Sequence, residues 1–107
     1  MKLKIIKTNE NAVIPSFANE NDVGLDLVAI EKDAILESGA ILYNTGLKII
    51  PPDGYYVEIV SRSSIVKTGW MLANNIGIID PDYRGELKIA LIKIDRYADE
   101  LELPFCK

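Results

Sequence analysis

Three short segments hold the residues whose types and spacing could do chemistry. They are GLDL at residues 24–27, SRSS at residues 61–64 and GIIDPDYRGE at residues 77–86. The chain contains no histidine, which excludes imidazole bases, catalytic triads and histidine-based zinc sites. Any catalysis must therefore use carboxylates, hydroxyls, backbone groups, arginine or lysine, or a hard metal ion.

The first segment places a single acid, Asp26, inside an apolar run that predicts a strand over residues 25–30. A solvent-facing carboxylate is the ordinary position for an acid on a strand. The functional alternative is a carboxylate aimed at a cation or at metal-bound water. The sequence leaves both open.

The second segment precedes residues 63–68, which we predict to form one or two helical turns that are capped by a serine and closed by Gly69. Hydroxyls, free backbone N–H groups and the Arg62 guanidinium at a helix start would suit a phosphate group. The alternative is a plain helix cap beside a surface arginine.

The third segment carries three acids, an arginine and a tyrosine around a turn. Aspartate and proline are turn residues, so a charged β-turn explains much of it. Asp80, however, follows two isoleucines, and an acid at the end of a buried strand is well placed to polarise water. Just upstream, Asn74 and Asn75 predict a two-residue hairpin turn, because asparagine tolerates a positive φ. That turn is either a surface hairpin or a site whose amide groups point into a pocket and bind a planar ligand.

The elements that must position these segments are short strands. Brief apolar runs alternate with turn residues throughout the 107 residues, and 49% of the chain is hydrophobic. This pattern predicts a single all-β sandwich or barrel domain with at most one short helical turn. The predicted strands lie at residues 25–30, 41–43, 47–50, 55–60, 70–73, 76–79 and 86–94, and we expect apolar residues 103–107 to lie in a further strand.

Charge and cysteine content narrow the classes of partner. Twelve basic against sixteen acidic residues give a net charge of −4, which argues against nucleic acid or an anionic membrane as the main partner. No apolar run approaches the ~18 residues of a membrane span. The charged start is unlike a signal peptide, and the single cysteine, Cys106, fits a reducing compartment. We therefore expect a cytoplasmic protein, or one of the nucleus or of a viral host's cytosol, and not a secreted one.

In their order and spacing the three segments resemble the first three motifs of the trimeric dUTPase family, the deoxyuridine 5′-triphosphate nucleotidohydrolases. GLDL is similar to the first motif, SRSS resembles a second motif that usually reads PRSG, and residues 74–85 look like the third. The resemblance implies a distorted β jelly-roll, or β-clip, that forms a homotrimer with active sites at subunit interfaces. It also implies hydrolysis of dUTP to dUMP and pyrophosphate with Mg²⁺ on the triphosphate, a reaction that keeps uracil out of DNA.

The resemblance also implies roles for single residues. Asp80 would activate the attacking water, and Tyr83 would pack under the deoxyribose and exclude a 2′-hydroxyl. Asp26 would support the metal indirectly, through water. The residues implied to contact uracil and the nucleoside are Asn74, Gly77, Ile78 and Ile79. The residues implied to lie along the phosphates are Arg62, Ser63 and Ser64.

The chain departs from the family pattern in two respects. Ser61 and Ser64 stand where proline and glycine are usual, although serine keeps a backbone N–H for a phosphate contact. The fourth motif, with its glutamine, and the fifth, a glycine-rich arm, are not found, so we expect one domain over residues 1–107 without the arm and with little turnover alone. The alternative is a non-catalytic module that binds nucleotide or a partner. A dCTP deaminase-like activity is disfavoured, because Ala90 stands where those enzymes carry a catalytic glutamate.

Overall fold

The computed structural model describes residues 3–107 as an all-β structure with one short 3-10 helix, which confirms the predicted fold class. The strands are β1 (Lys4–Lys7), β2 (Glu31–Ile35), β3 (Ile41–Asn44), β4 (Leu47–Ile50), β5 (Val57–Ile59), β6 (Trp70–Leu72), β7 (Gly77–Ile79) and β8 (Lys88–Lys93). The 3-10 helix, Ser63–Lys67, lies between β5 and β6. Within the described range, no helix is long and apolar enough to cross a membrane.

The strands form three antiparallel sheets. The largest has the order β2-β3-β8-β6, and the two smaller ones are the ribbons β1-β4 and β5-β7. Strands that are distant in sequence are neighbours in space, as where Tyr43 of β3 lies opposite Ile89 of β8. The chain therefore passes repeatedly from one sheet to another.

The core is built on the four-stranded sheet. Tyr43, Trp70 and Leu91 are almost fully buried, and the ring of Tyr43 meets that of Phe105 edge-to-face at 4.9 Å between centroids. The indole N–H of Trp70 donates to the carbonyl of Asp99 at 2.9 Å. Burying each such large ring contributes about 2–3 kcal/mol to stability, so this core is the rigid base of the site loops.

Two predicted strands are wrong. Residues 25–30 form no strand and are held by isolated bridges of Asp26 with Ser16 and of Ala29 with Phe105. The expected strand at residues 103–107 is likewise reduced to the Phe105 bridge. Ala29 and Phe105 are buried in the core, but each bridge joins single residues and none extends along the chain, which is too little for a ladder. A strand that was not predicted, β2, directly follows residues 25–30, and all five of its residues are exposed.

Candidate active site

The segment at residues 61–64 connects β5 to the 3-10 helix. Arg62, not a serine, occupies the N-cap, with φ −72° and ψ 157° and no side-chain capping bond, so the predicted serine cap is wrong. The helix does end before Gly69, whose φ is +78°, as expected. Because neither Ser63 nor Ser64 caps the helix, their exposed hydroxyls are not committed to it.

Arg62 and Asp26 bring the first two segments together. Arg62 Nη1 lies 3.4 Å from Asp26 Oδ2, and Cys106 Sγ lies 3.8 Å from the same nitrogen. The hydrogen bond to Cys106 and the charge of Asp26 raise the pKa of Arg62. The Arg62 side chain is 50% exposed and that of Asp26 is 28% exposed. The guanidinium is therefore positioned by the carboxylate and still open to an anion from solvent.

A cavity of about 340 Å³ opens beside this pair. Its walls are mainly apolar, and they include Phe17, Leu25, Leu27, Ile59 and Leu87. Asp26 and Arg62 are part of its lining. Apolar walls with a few polar groups are typical of pockets for small organic ligands.

The third segment folds into a turn that its own side chains hold together. The backbone N–H of Tyr83 donates to the carbonyl of Asp80 at 3.0 Å, and Arg84 Nη1 donates to the carbonyl of Pro81 at 2.7 Å. The Tyr83 hydroxyl donates to the carbonyl of Glu86 at 2.8 Å. The tyrosine ring lies across Gly85, where an added Cβ would stand only 2.6 Å from Tyr83 Cζ. The ring thus occupies the space of a side chain at residue 85, and any larger residue there would have to displace the ring.

Asp80 does not end a buried strand, and that expectation is wrong. β7 pairs with β5 alone, and Ile78 in its middle is 54% exposed, because a two-stranded ribbon leaves one face uncovered. Asp80 is exposed and lines an open groove of about 370 Å³ with Tyr55, Tyr56 and Ile78. The carboxylate therefore lies on an apolar, aromatic surface that faces solvent in the single chain.

The Asn74–Asn75 turn exists, but it is not a hairpin. β6 pairs with β8 and β7 pairs with β5, so the turn carries the chain from one sheet to another. Asn75 has φ 60°, which confirms the positive φ that its residue type suggested. The side-chain nitrogen of Asn74 lies 3.6 Å from where a Cβ on Gly77 would stand, so these two residues are neighbours.

The site residues fall at two ends of the β5-β7 ribbon. In its register Ile79 lies opposite Val57 and Gly77 lies opposite Ile59. Asp80 therefore lies at the end where β5 begins, whereas Asn74 and Arg62 lie at the end where β5 ends. The structure unites Asp26 with Arg62, and Asp80 with Tyr83, but one chain does not bring Asp80 and Arg62 together.

Sequence reasoning missed a polar cluster behind the third segment. Asn44 Nδ2 donates to Glu86 Oε2 at 3.0 Å, and Thr8 Oγ1 donates to the same oxygen at 2.9 Å. Asn44 is only 7% exposed. An asparagine at the end of an apolar strand could have signalled a buried hydrogen-bonding role, but no spacing in the sequence points to its partners.

Replacing Glu86 by glutamine should destabilise the fold in a pH-dependent way. Hydrogen bonds from Asn44 and Thr8 lower the pKa of Glu86. A carboxyl whose pKa is lower in the folded than in the unfolded state stabilises the fold at neutral pH, and this contribution is lost as the pH falls through the folded-state pKa. Urea denaturation should therefore show a lower free energy of unfolding for Glu86→Gln at neutral pH, and a smaller difference at about pH 3.

Glu20→Gln is the matched control, because Glu20 is exposed and takes part in none of the side-chain hydrogen bonds found in residues 3–107. An equal loss of stability for Glu86→Gln at both pH values would contradict the assignment.

Fold and site together define a class: an antiparallel β protein of the jelly-roll type whose polar site residues lie on loops between small sheets. The family model for dUTPase matches residues 10–98. The chain belongs to the dUTPase family, as the resemblance of its three segments implied.

Individual relatives agree with this assignment. The deoxyuridine 5′-triphosphate nucleotidohydrolase of Nautilia profundicola is 42% identical over 104 residues, which cover 95% of this chain and 72% of that protein. The enzyme of the same name from Wolinella succinogenes is 38% identical over 95 residues, 88% of this chain and 64% of that protein. The chain thus spans just under two thirds of the Wolinella protein's length.

Solved structures show the same fold. A dUTPase from S. aureus phage phi11, which coordinates a structural Mg(II) ion, aligns with a TM-score of 0.75 at 24% identity, covering 88% of this chain and 61% of that one. The dUTPase of Staphylococcus bacteriophage 80alpha aligns with a TM-score of 0.75 at 22% identity, covering 89% of this chain and 61% of that one. At this level of identity the alignments establish the jelly-roll fold.

Proposed function

We propose that this chain forms the nucleotide-binding and catalytic part of a dUTP diphosphatase, which hydrolyses dUTP to dUMP and pyrophosphate. The observation that carries the proposal is the third segment, where Asp80 stands open to solvent at the start of a turn that also fixes Tyr83. Named dUTP nucleotidohydrolases that share about two fifths of its residues support it.

Asp80 acts as the general base in this mechanism. With no histidine in the chain, a carboxylate must accept the proton from water as the water oxygen attacks the α-phosphorus. The bond from the α-phosphorus to the bridging oxygen then breaks, and pyrophosphate leaves with that oxygen. Arg62, with Ser63 and Ser64 beside it, would bind the phosphate oxygens, since a guanidinium and hydroxyls are natural donors to them.

The residues fit a metal held mainly by the substrate. Within residues 3–107 no group of three acid, cysteine or histidine side chains could hold a metal ion. Mg²⁺ keeps several waters and commonly takes one or two carboxylates together with substrate phosphates. Asp26, 28% exposed beside Arg62, would hold such waters, and the ion would neutralise charge on the triphosphate.

Nucleotide selectivity tests the proposal. A tyrosine ring against C2′ leaves no room for a hydroxyl, and the Asn74 turn would leave polar groups unpaired with cytosine, at about 1–3 kcal/mol per buried group. Titration calorimetry should therefore rank dUTP above UTP and dCTP by about 5- to 100-fold. Equal weak binding of all three nucleotides would refute the pocket assignment.

Tyr83→Ala should remove the preference for dUTP over UTP. Tyr97→Ala is the matched control, because Tyr97 is 77% exposed and stacks on Arg96 outside the candidate site. A loss of selectivity in both variants would show that the effect is not specific to Tyr83.

A homotrimer with sites between subunits completes the proposal. One chain separates Asp80 from Arg62 along the ribbon, so a second copy must supply the phosphate-binding segment to each Asp80. Large apolar side chains are exposed at both places, Phe17 and Val60 beside Arg62, and Tyr55 and Ile78 beside Asp80, as expected of faces that dock another protein. Analytical ultracentrifugation should find about three times the chain mass of 11.9 kDa. A stable monomer at micromolar concentration would contradict this assembly.

A further inference from the structure

The carboxylate of Glu86 is held by two residues outside the third segment, Asn44 at the end of β3 and Thr8 directly after β1. Besides Asn44 and Thr8, which donate to Glu86 Oε2, the network includes Glu31, whose Oε1 accepts from Asn44 Nδ2 at 3.1 Å. Asn44 Oδ1 accepts from the N–H of Gly46 at 3.0 Å. Because the nitrogen and the oxygen of the Asn44 side-chain amide are both hydrogen-bonded, the orientation of the amide is fixed. The amide therefore holds the Glu86 carboxylate in one position.

The same residue fixes Tyr83 through its backbone. The peptide unit that joins Glu86 to Leu87 is planar, and its N–H donates to the carbonyl of Leu47 in β4 at 2.8 Å. The carbonyl of a trans peptide points away from its N–H, and the Tyr83 hydroxyl meets that carbonyl at 2.8 Å. The ring of Tyr83 is thus anchored on Glu86, while 41% of the residue remains exposed.

We propose that Glu86 is a positioning residue for Tyr83. Its carboxylate, tied to Asn44 and Thr8, acts together with the backbone bond from Leu87 to Leu47 to keep the Glu86 carbonyl where the Tyr83 hydroxyl is anchored. A ring held in one place excludes a 2′-hydroxyl better than a ring free to swing away. Glu86 therefore sharpens the choice of deoxyribose over ribose without touching the nucleotide, and this consequence for selectivity rests on the proposed function.

Two measurements on Glu86→Ala test the proposal. NMR of the chain with ring-labelled tyrosine reports the ¹³Cζ shift of Tyr83, assigned by its disappearance in Tyr83→Phe. We expect this shift to move toward that of a water-exposed tyrosine. Calorimetry with dUMP and UMP should show the ratio of their affinities falling about threefold to tenfold, the range of a single hydrogen bond. Glu86→Gln keeps a side-chain oxygen that can accept from Asn44 and Thr8, and should retain most of the wild-type ratio.

The controls separate positioning from general loosening. Glu31→Ala removes the other partner of the Asn44 amide without touching Glu86, and should change neither the Tyr83 shift nor the affinity ratio. Thr8→Ala removes one surface donor to Glu86 and should give a smaller change in the same direction; it serves as the test variant if Glu86→Ala does not fold.

An unchanged Tyr83 shift in the folded variant would overturn the proposal, as would a shift that moves with no change in the affinity ratio, or an equal effect of Glu31→Ala. If the wild-type chain bound dUMP and UMP equally, the proposed function would fail, while the Tyr83 shift would still decide whether Glu86 positions the ring.

Discussion

Replacing Asp80 by asparagine is expected to lower the rate of dUTP hydrolysis by about 100- to 10,000-fold, the usual loss for a positioned general base, with nucleotide affinity nearly unchanged. The fold should not suffer. The Asp80 backbone carbonyl, not its carboxylate, accepts the hydrogen bond that closes the turn, and none of the side-chain bonds and ion pairs found in residues 3–107 uses the carboxylate. Asparagine keeps the shape of the side chain and loses only its ability to accept the proton.

The measurement is pyrophosphate release in a form of the protein that also carries the fourth and fifth family motifs, together with dUMP calorimetry on the same variant. Asp82→Asn is the matched control, because Asp82 is exposed in the same turn and lines neither the cavity beside Arg62 nor the groove beside Asp80. If Asp80→Asn kept the wild-type kcat, or if Asp82→Asn were the more damaging change, Asp80 would not be the base.

Gly46→Ala is expected to destabilise the fold by about 2–5 kcal/mol, which is a large part of the stability of a small domain. Gly46 joins β3 to β4 with φ +70°, a left-handed conformation that costs other residues about 1–2 kcal/mol. A Cβ at this position would also lie 2.8 Å from Asn9 Cβ and 3.0 Å from Ala12 Cβ. Overpacking of this kind costs about 1–3 kcal/mol more.

Gly54→Ala provides the control for backbone strain alone. Gly54 has φ +84°, and nothing lies within 4 Å of its Cβ position, so this variant should lose only about 1–2 kcal/mol. Urea denaturation of both variants gives the comparison. Equal losses would show that the crowding at Gly46 relaxes freely, and that the loop between β3 and β4 is softer than its contacts indicate.

The sequence predicted the fold class and most strands because their apolar residues pack on one core. It failed at β2, where five exposed residues carry no apolar alternation and the strand exists only because β3 offers an edge. It also mistook the Asn74 turn for a hairpin. A positive φ at Asn75 is a local property that residue type reveals, whereas the choice between pairing β7 with β6 or with β5 depends on strands elsewhere in the chain.

For the site, residue chemistry identified the three segments, but not their arrangement. Neither composition nor spacing shows that Arg62 meets Asp26, because Asp26 is held by its bridge to the distant Ser16. Nor do they show that Asp80 lies at the far end of the ribbon from Arg62, which follows from the register of β5 with β7. The burial expected for Asp80 was inferred from two neighbouring isoleucines. Those side chains sit on a narrow ribbon that has one uncovered face.

Residues 105–107 hold both halves of the Asp26–Arg62 pair in place. Ala29 and Phe105 exchange two backbone hydrogen bonds, at 2.9 and 3.1 Å, and the N–H of Arg62 donates to the carbonyl of Lys107 at 2.6 Å. Contacts between such distant parts of a chain carry a loop-closure cost and form late in folding. During synthesis, then, the β5-β7 ribbon can form before the segment around Arg62 and Asp26 is ordered. Amide hydrogen exchange at Ala29 and Arg62 should report a single opening event, whose free energy is set by how firmly residues 105–107 are docked.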